Sequence, residues 1–443
     1  MESIRSESRE GVTRSPARPP VSAVKAPALL LMAEYNGTLA AARCLAEHGT
    51  PVVIATHRLL APARWSKSVT RVVRCPDFRP GPAHLVEWLV DFGSRHEKHV
   101  LYPTCDEMAW LLAQYHGELS DRFHLYSPAG RTLRTVLDKC DLSAAANEVG
   151  IPTPRTWLPR EEGDLAAIWE QSSSCLVKPR TQAYFYGADK GLMASSLPEL
   201  KRCWRQYKSA RYPAELQRDI LNVSLPLIQE YLPAATNEVL SISGFAMRTG
   251  GFIDTRACRK ILQLPRRAGV GLCFEDCEPD PELVQLLSAL CSRIGYFGVF
   301  EAEFIRHEGR PLLIDFNPRY FGQLGFDIAR GMHLPWLAQL CATGHEEEAR
   351  QFAAAPNHKP KPEYYADSFA LKWHLNTGAM FGAVSAKEKQ NWLDWLTSRP
   401  DRFVDTFRQP GDMGPAVAAA TSIFWRTLRH PRGFLRHASR ESR

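Results

Sequence analysis

Phe300-Glu301-Ala302-Glu303-Phe304-Ile305, followed after the turn His307-Glu308-Gly309-Arg310 by Leu312-Leu313-Ile314-Asp315-Phe316-Asn317-Pro318-Arg319, decides how this chain is read. The apolar runs on either side of a polar turn predict two strands of a hairpin. Glu303 and Asp315 stand twelve positions apart, so a hairpin folded at that turn brings them side by side. Alternate residues of a strand share a face, so Asn317 joins Asp315 there, with the cation of Arg319 just beyond. Neighbouring carboxylates repel and raise each other's pKa unless positive charge lies between them. Hard oxygen donors of this kind suit magnesium, which is commonly held by one or two carboxylates together with substrate phosphates. A plain solvated hairpin is the alternative, and four functional side chains on one hairpin weigh against it.

Size and composition set the frame. A chain of 443 residues fits two or three domains. Hydrophobic residues at 44% and charged residues at 23% match a water-soluble globular chain. The formal charge of +7 is modest, and no arginine tract is interleaved with aromatics. Nucleic acid is therefore not an expected partner. Eleven scattered cysteines without a C-x-x-C pair predict reduced thiols and a cytoplasmic location. Residues 1–27 mix Ser, Arg, Glu and Pro and read as a disordered tail. No apolar run approaches the length of a membrane span.

Upstream of the hairpin the chain alternates short strands with helices. Ala28–Met32 reads as a buried strand, Glu34–Gly37 as a turn, Thr38–His48 as a helix ended by Gly49, and Pro51–Ala55 as the next strand. This is a β-α-β unit. Turns at the C-terminal ends of such strands are where ligands collect. Thr104-Cys105-Asp106-Glu107 reads as a capping box, with Asp106 free to meet a substrate. Asp138 is a candidate N-cap. Lys139 then falls in the first helical turn, where a cation is unfavourable alone and favourable beside a bound anion. In Cys175-Leu176-Val177-Lys178-Pro179-Arg180 a lysine ends an apolar strand and must reach water or an anion. The segment 180–191 carries two glycines and is weak as a phosphate loop. Leu227–Pro233 is a strand running into a bend, and Glu238–Phe245 alternates like a strand with one wet face. Asp254–Ile261 is a basic strand, either a solvated edge or a site for an anion.

In this order, Asp138-Lys139, Leu176-Val177-Lys178-Pro179, Gln229-Glu230-Tyr231-Leu232 followed by Glu238, Glu303, and Asp315-Phe316-Asn317-Pro318-Arg319 resemble the ATP-grasp superfamily of carboxylate–amine ligases. The resemblance is closest to the branch of biotin carboxylase and the carbamoyl-phosphate synthetase large chain. It implies an α/β and α+β fold: an open α/β pre-ATP-grasp domain at 28–130, then a two-lobed ATP-grasp fold at 131–345 with a mobile lobe at about 150–235. It implies ATP and magnesium, with manganese as a substitute. Lys139 and Lys178 would meet the α and β phosphates. Gln229, Glu230 and Leu232 would follow the adenine edge, and Glu238 the ribose. Glu303, Asp315 and Asn317 would hold the metal, while Arg319, with Arg256 or Lys260, would stabilise the transferring phosphoryl group. Asp315 stands where the family more often has Glu.

The implied activity is an ADP-forming ligase. It makes an acyl phosphate from a small-molecule carboxylate for attack by an amine, an amino acid or small peptide. A non-catalytic ATP-binding regulator or scaffold, and a carboxylating enzyme like biotin carboxylase, are the alternatives. Residues 346–443 form an extension of unassigned role. Ser368–Trp373 reads as strand or helix. Thr421–Arg436 mixes aromatics with arginine, either as an anchor on an anionic membrane surface or as a helix packing its Trp425 face inward. Oligomerisation is left open.

Overall fold

The computed structural model describes residues 26–186, 190–264, 269–356, 362–382, 384–398 and 400–429. Three sheets carry the architecture. The first is parallel, in the order β3-β2-β1-β4-β5: β1 (Ala28–Leu30), β2 (Val52–Ala55), β3 (Arg71–Val73), β4 (His99–Leu101) and β5 (Phe123–His124). β1, β2 and β4 are buried throughout, as strands covered on both faces must be. The helix Asn36–Glu47 leaves the end of β1. A Cβ on Gly37 would lie 2.6 Å from the Phe321 carbonyl oxygen, so only glycine lets this helix start meet the backbone that follows the hairpin.

The second sheet is antiparallel, in the order β6-β9-β7-β8: β6 (Thr156–Trp157), β7 (Cys175–Lys178), β8 (Leu192–Ala194) and β9 (Leu227–Glu230). The third has seven strands, in the order β14-β13-β10-β11-β12-β15-β16. These are β10 (Val239–Ala246), β11 (Phe252–Leu264), β12 (Val270–Cys277), β13 (Gly298–His307), β14 (Arg310–Asn317), β15 (Tyr364–Ala366) and β16 (Phe403–Asp405). β15 adds to β12 antiparallel and β16 lies parallel to β15. The extension therefore completes the sheet that carries the hairpin, and Ser368–Met380 is a helix.

Four expectations change. β10 is buried along all eight residues rather than wet on one face. Leu240 and Ile242 pack with Leu283 and Leu287 of the helix Pro281–Ile294, while on the opposite face Ser243 donates to Asp327 at 2.6 Å. β11 lies inside the sheet between β10 and β12 rather than at an edge. Its charges are paired instead: Arg256 with Asp254, Arg259 with Glu275, Lys260 with Glu303. The capping box at Thr104 does not form. Cys105 is the N-cap, accepting from the Met108 amide, and Glu107 accepts from the Tyr184 amide. Finally, the helix Gly414–Arg429 turns Phe424 and Trp425 outward, not onto the domain. Residues 430–436 of the arginine-rich stretch, and 1–25 of the expected tail, lie outside the described residues.

All eleven cysteines are free thiols. Among the described residues, no helix is long and apolar enough to cross a membrane. At the end of helix Asn36–Glu47 remote from the hairpin, His48 Nε2 and His333 Nδ1 share a hydrogen bond of 2.9 Å beside Cys44.

Candidate active site

The hairpin delivers what its spacing predicts. Glu303 on β13 stands directly opposite Asp315 on β14, and Glu301 opposite Asn317. Beyond Glu303 the register slips, so that Phe304 faces Leu313 and Ile314 is left as a bulge. Strict alternation would send Ile314 and Asp315 to opposite faces. Through the bulge both line the same cleft, while Leu313 and Phe316 stay in the core.

Each carboxylate has its own cation. Lys260 Nζ, on β11 and only 6% exposed, donates to Glu303 Oε2 at 2.8 Å. Lys139 Nζ donates to Asp315 Oδ1 at 2.5 Å. Lys139 is placed by its helix start. Asp138 caps the helix by accepting from the Cys140 amide, Arg180 Nε holds Asp138 at 2.7 Å, and the Lys139 amide donates to the Arg180 carbonyl. Burial opposes ionisation of Asp315, but the ammonium groups of Lys139 and Lys190 outweigh it and hold its pKa well below the usual carboxylate range. Burial likewise opposes ionisation of Glu303, and Lys260 outweighs it. Glu301 lacks such a partner, so burial and the adjacent Glu303 raise its pKa to about 7.

A second layer fixes the first. Asn317 Nδ2 donates to Glu301 Oε2 at 2.9 Å, and Gln323 donates to the other oxygen of Glu301. Arg319 Nη2 donates to Asn317 Oδ1 at 2.7 Å, and its Nε to Asp106 Oδ1 at 2.7 Å. Asp106 begins the helix Asp106–Gln114 that follows β4, so this pair ties the parallel sheet to the hairpin. Glu301 and Gln323 were missed as site residues in the sequence. Glu301 could have been found, because the turn that pairs Glu303 with Asp315 also pairs Glu301 with Asn317. Gln323 lies outside the hairpin and carries no such signal.

Two connected spaces open from this cluster. One is a cleft of about 600 Å³ between the second and third sheets, with apolar walls at Leu176, Val239, Ile305 and Ile314. Lys178 extends from β7 into it and donates to Gln229 Oε1 at 2.9 Å. Burial first, then the charge of Lys139, lowers the Lys178 pKa to about 8. The other is a chamber of about 1360 Å³, which shares Lys190, Lys260, Glu303 and Asp315 with the cleft and reaches Tyr35, Asp106 and Arg319.

The remaining predicted residues divide. Leu232 is buried behind the cleft wall with Val239 and Ile305. Glu230 engages its backbone amide with Arg155. Glu238 is exposed and lines neither space; its neighbour Val239 does. Arg256 also lines neither space, and its guanidinium is held by Asp254 and the Thr255 carbonyl.

Solved structures resemble this arrangement. Biotin carboxylase from Campylobacter jejuni, in a beta-gamma-ATP complex, aligns with a TM-score of 0.55 at 13% identity, covering 76% of this chain and 73% of its own. N5-carboxyaminoimidazole synthetase from Staphylococcus aureus, complexed with ADP, aligns at 0.54 and 12%, covering 76% and 82%. L-amino acid ligase from Bacillus licheniformis aligns at 0.55 and 13%, covering 75% and 78%. The chain has the ATP-grasp fold. No protein-family model matches the sequence, and comparison with curated proteins finds no match. The apolar cleft ends at the ammonium groups of Lys178 and Lys139. The facing carboxylates of Glu303 and Asp315, now neutralised by lysines, are an all-oxygen donor pair of the kind a divalent cation takes. Asn317 can add its amide oxygen only if Arg319 shares it.

Proposed function

We propose that the chain is an ADP-forming ligase that activates a carboxylate as an acyl phosphate and joins it to an amine. The observation that carries the reading is the Glu303–Asp315 pair, flanked by Lys139 and Lys260, at the junction of cleft and chamber. The likeness to ATP-grasp enzymes that include an amino-acid ligase supports it.

In this reading ATP occupies the cleft. Leu176, Val239, Ile305 and Ile314 bury the base, and Lys178 and Lys139 meet the phosphates. Glu303 and Asp315, with Asn317, would hold magnesium, which supplies charge neutralisation to the phosphates when bound. Phosphoryl transfer needs positioning and charge compensation more than covalent help from side chains. The substrate carboxylate attacks the γ-phosphorus, a P–O bond to ADP breaks, and an acyl phosphate forms. The amine nitrogen then bonds to the acyl carbon, the C–O bond to phosphate breaks, and inorganic phosphate and a proton leave. Arg319, fixed by Asp106 and Asn317, and Lys260 face the chamber, where the acyl phosphate's negative charge would sit. Arg256 has no part in this scheme, because it lines neither the cleft nor the chamber.

The test is release of ADP and phosphate across a panel of carboxylates with hydroxylamine, which traps an acyl phosphate as a hydroxamate. Hydroxamate should form with at least one carboxylate, in a magnesium-dependent manner. Asp315→Ala and Asn317→Ala should abolish it with the fold intact by circular dichroism. Wild-type turnover in Asp315→Ala would remove the metal assignment.

A further inference from the structure

Beside the reaction chamber lies a third space of about 1390 Å³, an annex that the ligase scheme leaves unused. Chamber and annex share the walls Glu34, Tyr35, Asn36, Glu107 and Tyr186, so a molecule can extend from one into the other. The annex is walled on one side by Met32, Leu60 and Phe78 of the parallel-sheet region. Its other side is the C-terminal extension: Ala370, Phe407, and Ala419, Ser422 and Ile423 of the helix Gly414–Arg429. Those last three recur at the spacing that puts residues on one helix face. The opposite face, with Val417, Phe424 and Trp425, is exposed. These two walls are apolar although half of the residues around the space are polar or charged, and the extension presents its small and apolar face to it.

The mouth has a charge sign. Glu34 and Glu107 stand there, with Asp367 further in. Arg58 pairs with Glu34 at 3.2 Å, so those two charges offset each other, and Arg79 is held by Asp77, which leaves Glu107 as the acid of the mouth with no ion pair among the described residues. An acidic mouth opposes passage of a carboxylate and favours an ammonium group. Arg319 and Lys260 lie at the other end of the chamber, paired with Asp106 and Glu303.

We infer that the annex receives an aromatic or long aliphatic side group of the amine substrate, whose amino group rests at Glu107 in the mouth facing the chamber. The inference rests on the ligase reading and narrows it: the amine is amphipathic, and the C-terminal extension sets the preference. Seating a phenyl group against these apolar walls favours it over a short alkyl group by about tenfold.

Full-length protein with MgATP and the best carboxylate of the hydroxamate panel is assayed with 2-phenylethylamine and ethylamine as probes. The kcat/KM ratio is expected to favour 2-phenylethylamine at least about tenfold. Ser422→Trp and Ile423→Trp, which fill the annex, should bring the ratio close to one, with hydroxamate formation reporting whether each variant still activates carboxylate. Phe424→Ser, on the outward face, should leave the ratio unchanged. A ratio near one in the wild type, an unchanged ratio in both filled variants, or an equal loss in Phe424→Ser overturns the proposal. Failure of the ligase reading looks different: no hydroxamate and no ADP with any carboxylate. Calorimetric binding of 2-phenylethylamine, weakened tenfold by Ser422→Trp, reads the annex independently, and equal binding by both proteins again overturns it.

Discussion

At the residue scale, Lys178 has the most telling electrostatics. It is half-buried, close to Lys139 and hydrogen-bonded to the neutral amide of Gln229, and desolvation with the charge of Lys139 outweighs the pull of Asp315 and Glu303 to bring its pKa to about 8. A bound triphosphate would reverse that balance, because an anion favours the charged form. Nucleotide binding should then draw a proton onto Lys178 above pH 8. The sign follows: affinity is full below that value and falls as pH rises through it. Between pH 7 and pH 9 the ATP dissociation constant should rise about tenfold, by the fraction of lysine already neutral. Calorimetry at both pH values, in buffers of different ionisation enthalpy, reads both the change and the proton. Lys178→Met should bind more weakly and show a flatter profile; an equally steep one would assign the titration to another group. Lys139 and Lys178 were both legible in the sequence, since a cation at a helix start or strand end needs an anion. That Glu238 and Arg256 stay outside both spaces was not, because side-chain direction at a bend and pairing with a neighbour two residues away leave no periodic signal.

At the element scale, the hairpin shows where the sequence was readable and where it stopped. Turn residues and strand lengths fix which residues face each other near the turn. The slip at Ile314 does not show in the pattern, because Leu312-Leu313-Ile314 is uniformly apolar and fits either register. β10 was misread for a related reason: its serines suggested a wet face, yet a partner such as Asp327 lets serine be buried. The bulge makes a test. Deleting Ile314 should restore strict alternation with Leu313 and Phe316 still on the core face and Asp315 and Asn317 still on the cleft face, so the only loss is one apolar side chain from the cleft wall. The variant should therefore keep magnesium-dependent ATP binding, weakened only by the missing side chain, and complete loss of binding would show that the bulge itself positions Asp315. The helix start behind Lys139 gives a second test. Asp138→Ala removes an N-cap, worth about 1 kcal/mol, and also strands Arg180 beside a buried site. Urea unfolding should therefore show a loss of about 2–4 kcal/mol, against about 1 kcal/mol if the cap alone mattered.

At the scale of the whole molecule, the C-terminal extension was the least legible region, because its strands are short and join a sheet begun more than ninety residues earlier. What holds it is a buried knot centred on Asp412. Arg43 of the helix Asn36–Glu47 donates to Asp412 Oδ2 at 2.9 Å and to the Phe407 carbonyl at 2.9 Å. Ser66 Oγ and the Lys67 amide donate to the same carboxylate at 2.7 and 2.8 Å. Just beyond, a Cβ on Gly414 would lie 2.2 Å from the Trp65 carbonyl oxygen, so the helix start is pressed against the 62–65 turn. Burial opposes ionisation of Asp412, but the Lys67 amide, Ser66 and Arg43 outweigh it and lower its pKa. Since the folded value is the lower one, the stability it contributes is full above about pH 4, the unfolded carboxylate range, and is lost as pH falls below that. Asp412→Ala leaves Arg43 with backbone carbonyls alone and should cost about 3 kcal/mol. Limited proteolysis should then cut within or before Gly414–Arg429 first, while the parallel sheet stays protected. The sharper version compares wild type with Asp412→Asn between pH 5 and pH 3. Wild type should become protease-sensitive at this helix as the pH drops, whereas Asp412→Asn should start sensitive and change little. Equal pH dependence in the two proteins would place the acid-labile contact elsewhere and leave the knot without its assigned part in holding the annex wall.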